Sequence, residues 1–318
     1  MQNHASLLSK FPVVCALAGV SCALWGSAFP CVKIGYQMFS VNIDHVPSIL
    51  LFAGMRFFLA GLLTLLIGSV IARRPLYPTN LRTCKHIVIL SLLQTVLQYF
   101  LFYIGLAHTT GVRSSIIGAA GAFVSILVAA WIFHQEKLTH RKVIGCIIGF
   151  LGVILVNLNQ GDLLGSIHFI GEGFVFLSTV SSSFSAVLIK QFTQHDNPVL
   201  LSGAQFTLGG LTLICIGLAS GGHVAPVSPA SFLMLFYLGC ISAVAYTLWG
   251  ILLKYNTVSR ISVYKFMTPI FGVLLSAIFL HEASQVSLPL STLALLLVCI
   301  GIFVVNRVPK AKSAALQP

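Results

Sequence analysis

VYKFMTPIFGVLLSAIFLHE, residues 263–282, is apolar almost throughout. It matches the ~20 residues that a helix needs to cross a bilayer. Three residues interrupt it. Lys265 places a charge inside the run, Pro269 removes a backbone donor, and Glu282 closes it. A lower-contrast version lies upstream, IIGAAGAFVSILVAAWIFHQE at 116–136. The endings IFHQE and IFLHE are each followed by a further apolar segment, so the two stretches read as one ancestral unit written twice.

Composition generalises that reading. Hydrophobic residues make up 57% of the chain and charged residues 8%, against the roughly 25% charged of a soluble domain. A soluble fold of 318 residues could not hide so many long apolar runs. The fold class is therefore an all-α polytopic membrane protein. The net charge of +12 would suggest nucleic acid in a soluble protein. Here the cations sit in short connections, as the positive-inside rule places them, and no nucleic-acid partner is expected. The eight cysteines form no CxxC pair and fall mostly within apolar runs, which makes them packing residues and not a metal or redox site. The apolar run after Lys10 continues past Trp25 and Pro30 to about Gln37, too long for a signal peptide, and reads as a retained first span.

Ten spans are expected, at approximately 12–37, 48–71, 86–107, 112–134, 141–158, 168–190, 198–219, 231–253, 258–280 and 288–306. One set of ends and connections holds fourteen cations: Lys10; Arg73, Arg74, Arg82, Lys85; Lys137, Arg141, Lys142; Lys190; Lys254, Arg260; Arg307, Lys310 and Lys312. The opposite set holds Arg113 alone, while Lys33, Arg56 and Lys265 lie within spans. Both termini are thus expected in the cytoplasm.

An internal repeat covers nearly the whole chain. AGMRFFLAGLLTLLI at 53–67 matches SGAQFTLGGLTLICI at 202–216, GVILVN at 152–157 matches GIFVVN at 301–306, and WGSAFPCVK at 25–33 lies against SSFSAVLIK at 182–190. Each unit holds five spans, and an odd number makes the second unit enter the membrane from the opposite side. Inverted repeats of this kind are a common design of secondary transporters, although duplication also builds channels and inert scaffolds.

These motifs carry a family resemblance. ALWGSAFPCVK in span one, MRFFLAG in span two, the Glu-terminated spans at Glu136 and Glu282, and TPIFGVLLSAIFLHE resemble the EamA-type members of the drug/metabolite transporter superfamily. The resemblance covers about residues 12–306. It implies two EamA-like five-helix repeats, 12–158 and 168–306, in a 5+5 fold. A central cavity would be lined by spans one to four of each half, with spans five and ten outside. It also implies carriage of small metabolites, often export of amino acids, and a bacterial cytoplasmic (inner) membrane. The cargo itself does not follow from a fold.

Polar residues within spans are costly and usually face a cavity or a partner. Lys265 lies roughly 10 Å into the membrane at ~1.5 Å rise per residue from Val258. It is either a substrate-binding ammonium or a side chain snorkelling to the interface. Arg56, whose repeat counterpart is Gln205, either binds substrate, snorkels, or pairs with Glu172. Lys33 lies near the outer end of span one, where snorkelling is the simpler reading. Gln94 and Gln98 are four apart in span three and share a helical face, for substrate or for an interhelical hydrogen bond. Trp25, Tyr99, Tyr246, Trp249 and Tyr264 are candidate aromatic walls. Serines at 178–185, the GAAGA run at 118–122 and the Gly145/Gly149 pair permit close helix approach, within the chain or between two copies.

The acids are Asp44, Glu136, Asp162, Glu172, Asp196 and Glu282, none at mid-depth. The small multidrug exporters of the same superfamily use a buried carboxylate in their first span; this first span has none. Glu136 and Glu282 are read as caps or as gate partners of nearby loop cations. No P-loop, HExxH, GxSxG or paired carboxylate occurs, so neither direct ATP drive, enzymatic activity, cofactor nor metal is expected. No ring of like residues or filter loop marks a channel. The expected function is a secondary carrier moving a small polar metabolite, an amino acid or related carboxylate, by alternating access. The competing function is a channel or membrane receptor, and the chain is expected as a monomer or possible homodimer.

Overall fold

The computed structural model describes residues 7–109, 111–157, 169–279 and 288–307. Asp162, Glu282, Lys310 and Lys312 lie outside the described residues. The chain is a set of helices joined by short connections. α1 is Phe11–Met38 and α2 is Val46–Ala72. α3 runs through Leu81–Leu90, a π-helical segment Ser91–Leu97, and Gln98–Ala107. α4 comprises Gly111–Ala119, Gly121–Leu127 and a π segment Val128–Ile132. α5 is His140–Asn157, and α6 joins a π segment Phe169–Gly173 to Phe174–Phe192. α7 is Pro198–Ala219 and α8 is Ala230–Tyr255. α9 is broken into Val258–Ser262, a 3-10 segment Val263–Phe266, and Met267–Phe279, and α10 is Leu288–Asn306.

Eight segments among the described residues are long and apolar enough to cross a membrane; they belong to α1, α2, α3, α6, α7, α8, α9 and α10. The apolar run of α4, Ile116–Ile132, is shorter. The protein is a polytopic helical membrane protein. Large apolar side chains such as Leu66, Val70, Ile71, Leu233, Phe236 and Phe303 stay exposed, the surface a helix offers to lipid tails.

Local sequence explains the helix limits. Asn80 accepts a hydrogen bond from Thr83 N–H, Asn197 from Val199 N–H, and Thr257 from Arg260 N–H, each satisfying an orphan donor of a first turn. Prolines open α1, α2 and α7, where a missing N–H costs nothing. The same logic accommodates Pro269. The helix restarts at Met267 after the 3-10 segment, so the proline falls in a first turn.

The connections gather at two ends. At one end Asn256 Nδ2 donates to Leu8 O (3.0 Å), Thr83 Oγ1 to Asp196 Oδ1 (2.7 Å) and Arg260 Nε to Asn306 Oδ1 (3.0 Å). Glu136 at the foot of α4 accepts from Ser259 N (2.9 Å), from the Ser259 hydroxyl and from Lys142 Nζ (2.5 Å), capping α9 from the other half of the chain. At the opposite end Val227 N donates to Met38 O (2.9 Å) and Arg113 Nη1 to Glu172 Oε1 (2.9 Å).

α2 and α7 form the most extensive helix pair. They run antiparallel, because Gly54 faces Gly210 while Gly61 faces Gly203. A β-carbon on Gly61 would lie 2.3 Å from Thr207 N, and one on Gly210 2.2 Å from Phe58 N. Only glycine lets the two backbones approach so closely. α5 and α10 pair in the same antiparallel way, with a β-carbon on Gly301 placed 2.6 Å from Gly145 O. Gly145 therefore packs inside the chain, and Gly149 faces the Phe266 ring. Around these pairs, α1 packs on α8 and α9, and α6 packs on α3 and α4.

Candidate functional site

Aromatic rings from five helices meet in the interior. Trp25 of α1 packs on Tyr246 (centroids 5.0 Å) and Trp249 (4.9 Å) of α8. Tyr246 meets Phe206 of α7 (4.8 Å), Phe206 stacks on Phe57 of α2 (5.3 Å), and Phe57 meets Tyr99 of α3 (4.3 Å). The hydroxyls of Tyr99 and Tyr246 close the circle at 2.6 Å. Each such ring pair contributes ~0.5–1.5 kcal/mol beyond area burial. Four of the five aromatic candidates thus come together. Tyr264 stands elsewhere: it is fully buried, its hydroxyl meets Cys15 Sγ (3.2 Å) and its carbonyl accepts from Cys22 Sγ (3.2 Å), tying α9 to α1.

The two glutamines of α3 have different fates. Gln94 Oε1 accepts from Gln205 Nε2 (3.0 Å), and Gln205 Oε1 accepts from Thr95 Oγ1 (2.8 Å), a closed interhelical network with α7. Gln98 Oε1 is buried without a partner. Gln94 lies within the π segment Ser91–Leu97, and Gln98 opens the α-helical segment that follows it. Ser181 Oγ of α6 donates to Leu93 O in the π segment (2.7 Å).

Two cations complete the interior. Arg56 is 6% exposed, its guanidinium carbon sits 4.6 Å from the Phe57 centroid, and its Nε has no hydrogen-bond partner. Lys265, on the 3-10 break of α9, has its Nζ 3.5 Å from Ser182 Oγ of α6. Among the described residues the ion pairs are Arg113–Glu172 and Lys142–Glu136, and His86 Nδ1 lies 2.5 Å from Asp196 Oδ2. Glu172 accepts from Thr109 (2.7 Å) and Arg113, and does not serve Arg56. Lys33 is exposed, as a snorkelling side chain would be.

The interior therefore leaves polar atoms unserved. Trp25 Nε1, Arg56 Nε, Gln98 Oε1 and Thr268 Oγ1 are buried with no hydrogen-bond partner. An unsatisfied buried group costs ~1–3 kcal/mol, so each of these atoms is one that water or a ligand can serve. The donors and cations suit a carboxylate, and the Gln98 carbonyl suits an amine. Phe57, Phe206, Ser182 and Thr268 escaped the sequence reading as site residues, since an apolar or hydroxyl side chain in a membrane span carries no signal until its neighbours are known.

Comparison with known proteins follows the same outline. The EamA-like transporter family matches residues 13–158 and again 169–307. The chain is 30% identical to the uncharacterized transporter YvbV of Bacillus subtilis, over 92% of this chain and 91% of that one. It is 26% identical to an uncharacterized transporter of Archaeoglobus fulgidus, over 84% and 89% of the two chains. A chloroplastic WAT1-related protein of Arabidopsis thaliana is 26% identical over 89% of this chain and 66% of its own. One solved crystal structure, 17% identical, superposes with a TM-score of 0.72 over 92% of this chain and 97% of that one, a likeness of fold.

Proposed function

The chain belongs to the EamA-like transporter family, and from that premise we propose that it carries a small carboxylate-bearing metabolite, an amino acid or a close relative, by alternating access. It is an integral membrane transporter; the cargo and the mechanism are our reading. One observation carries the cargo: Arg56 and Lys265 are both interior cations, and neither has a carboxylate partner among the described residues. An uncompensated charge in the membrane is expensive, so an anion that meets it is held strongly. Gln98 Oε1 offers the acceptor that a zwitterion's ammonium needs.

The proposed mechanism rests on the repeat. We read the chain as ten spans in two inverted five-helix units, 12–158 and 168–306, with α4 and α5 also crossing. α2 and α7 are corresponding helices and run antiparallel, as an axis in the membrane plane requires; α5 and α10 do the same. The contacts of α1 with α8 and α9 are mirrored by those of α6 with α3 and α4. Two halves related this way can exchange conformations and so expose one site to either side in turn. The basic end faces the cytoplasm in this reading, in a bacterial inner membrane, and transport runs outward.

Proteoliposomes preloaded with a panel of amino acids and small carboxylates test the proposal by counterflow of the labelled compound. Saturable exchange that is weakened in Lys265→Gln and Arg56→Gln is expected. Non-saturating flux, or exchange confined to cations, would overturn it.

A further inference from the structure

Far from the aromatic circle, at the end opposite the basic one, two histidines from different halves of the chain face each other. His45 lies just before α2, and His223 lies in the connection from α7 to α8. Their ring centroids are 5.5 Å apart, with the planes tilted by 40°. The geometry points to a two-histidine site for a borderline-soft divalent transition metal such as Zn²⁺ or Cu²⁺, bridging the α1–α2 and α7–α8 connections.

The spacing fits such an ion. With a metal–nitrogen distance of ~2.1 Å and a tetrahedral angle, two imidazole centroids on one ion stand roughly 5–5.5 Å apart. Backbone hydrogen bonds hold both residues: His45 N donates to Asn42 O (3.1 Å) and Ser48 N to His45 O (3.0 Å). Gly221 takes φ +83°, and Gly222 N donates to Gly217 O (2.7 Å), a glycine-terminated helix end that sets the position of His223. Ser48, itself fully buried, links the two residues. Its Oγ accepts from His223 N (3.0 Å) and lies 2.9 Å from His45 Nδ1. An oxygen accepting from the Nδ1–H of His45 would leave Nε2 as the metal ligand, the orienting partner that metal-bound histidines usually have. His223 is exposed and His45 half-buried, so an ion reaches them from solution.

The site is an open one. No group of three or more His, Cys, Asp or Glu that could hold a metal is present among the described residues, so water completes the coordination. The positive end of the α2 dipole lies next to His45 and weakens the affinity. Binding would clamp together two connections that already share the hydrogen bonds Ala225 N to Phe39 O (3.0 Å) and Val227 N to Met38 O (2.9 Å).

The test uses full-length protein with any affinity tag removed, because the chain has ten histidines of its own. ZnCl₂ is titrated calorimetrically, and Cu²⁺ is followed by electron paramagnetic resonance. Wild type should take up one ion saturably, show coupling of Cu²⁺ to two imidazole nitrogens, and melt at higher temperature with Zn²⁺ present. His45→Ala/His223→Ala should lose all three signatures. Ser48→Ala should weaken binding by about tenfold, the usual effect of removing an orienting partner. Should the double variant not fold, His223→Gln at its exposed position carries the same test. Absence of saturable binding to wild type, or binding unchanged in the histidine variants, would overturn the assignment.

Discussion

The hydroxyl of Tyr99 meets that of Tyr246 at 2.6 Å and joins α3 to α8 at the centre of the molecule. In the two-unit reading these helices are counterparts, one from each half. A motion that parts the halves must break this bond, while the ring contacts of Tyr99 with Phe57 and of Tyr246 with Phe206 remain within reach on either side.

Replacing one tyrosine by phenylalanine leaves the other hydroxyl buried and unpaired. Tyr99→Phe and Tyr246→Phe should each lower stability by ~1–3 kcal/mol, and the double variant should cost less than the sum of the singles. Thermal unfolding in detergent measures all four proteins. Strict additivity would show that the bond carries no coupling.

Lys265→Gln should leave insertion and folded yield intact and weaken carboxylate binding by ~1–3 kcal/mol, the scale of a lost charge-assisted hydrogen bond. Lys265→Arg should rescue only part of the loss, since its planar fork differs in reach from an ammonium near Ser182. Transport by Lys265→Gln at the normal rate and affinity would reduce the residue to a snorkelling lysine.

Gly210→Ala should destabilise the α2–α7 pair by ~1–3 kcal/mol, the typical cost of overpacking, because its β-carbon would fall 2.2 Å from Phe58 N. Gly118→Ala, with nothing within 4 Å of the added carbon, is the control and should be neutral or mildly stabilising. Equal folded yields for the two variants would contradict the close backbone approach.

A reporter active only in the cytoplasm should give signal when fused after Arg307 and none when fused after Asp162. The reverse pattern would overturn the orientation and, with it, the inverted repeat that the antiparallel α2–α7 pair supports.

Glu172→Gln should leave counterflow largely intact, since the carboxylate serves Arg113 and Thr109 and neither interior cation. Retained exchange with loss of proton-driven uphill transport would instead identify Glu172 as a coupling residue.

Much of this was legible in the chain alone. Apolar run length and the one-sided distribution of Lys and Arg are one-dimensional properties, and bilayer thickness and surface charge act on them directly. They determined the membrane class and suggested the orientation and the two units. The fate of each polar side chain was decided elsewhere. Gln94 and Gln98 look equivalent in sequence, yet Gln94 is spent on Gln205 of α7 while Gln98 Oε1 is buried without a partner. Tyr264 looks like Tyr246, yet it is consumed by Cys15 and Cys22 on α1. Glu172 looked available to Arg56 and is held by Arg113. A hydrogen bond needs its partner within about 3 Å, so its existence depends on the rotation and approach of helices distant in the chain. Only the tertiary structure sets those, and it alone determined which interior donors and cations remain unpaired.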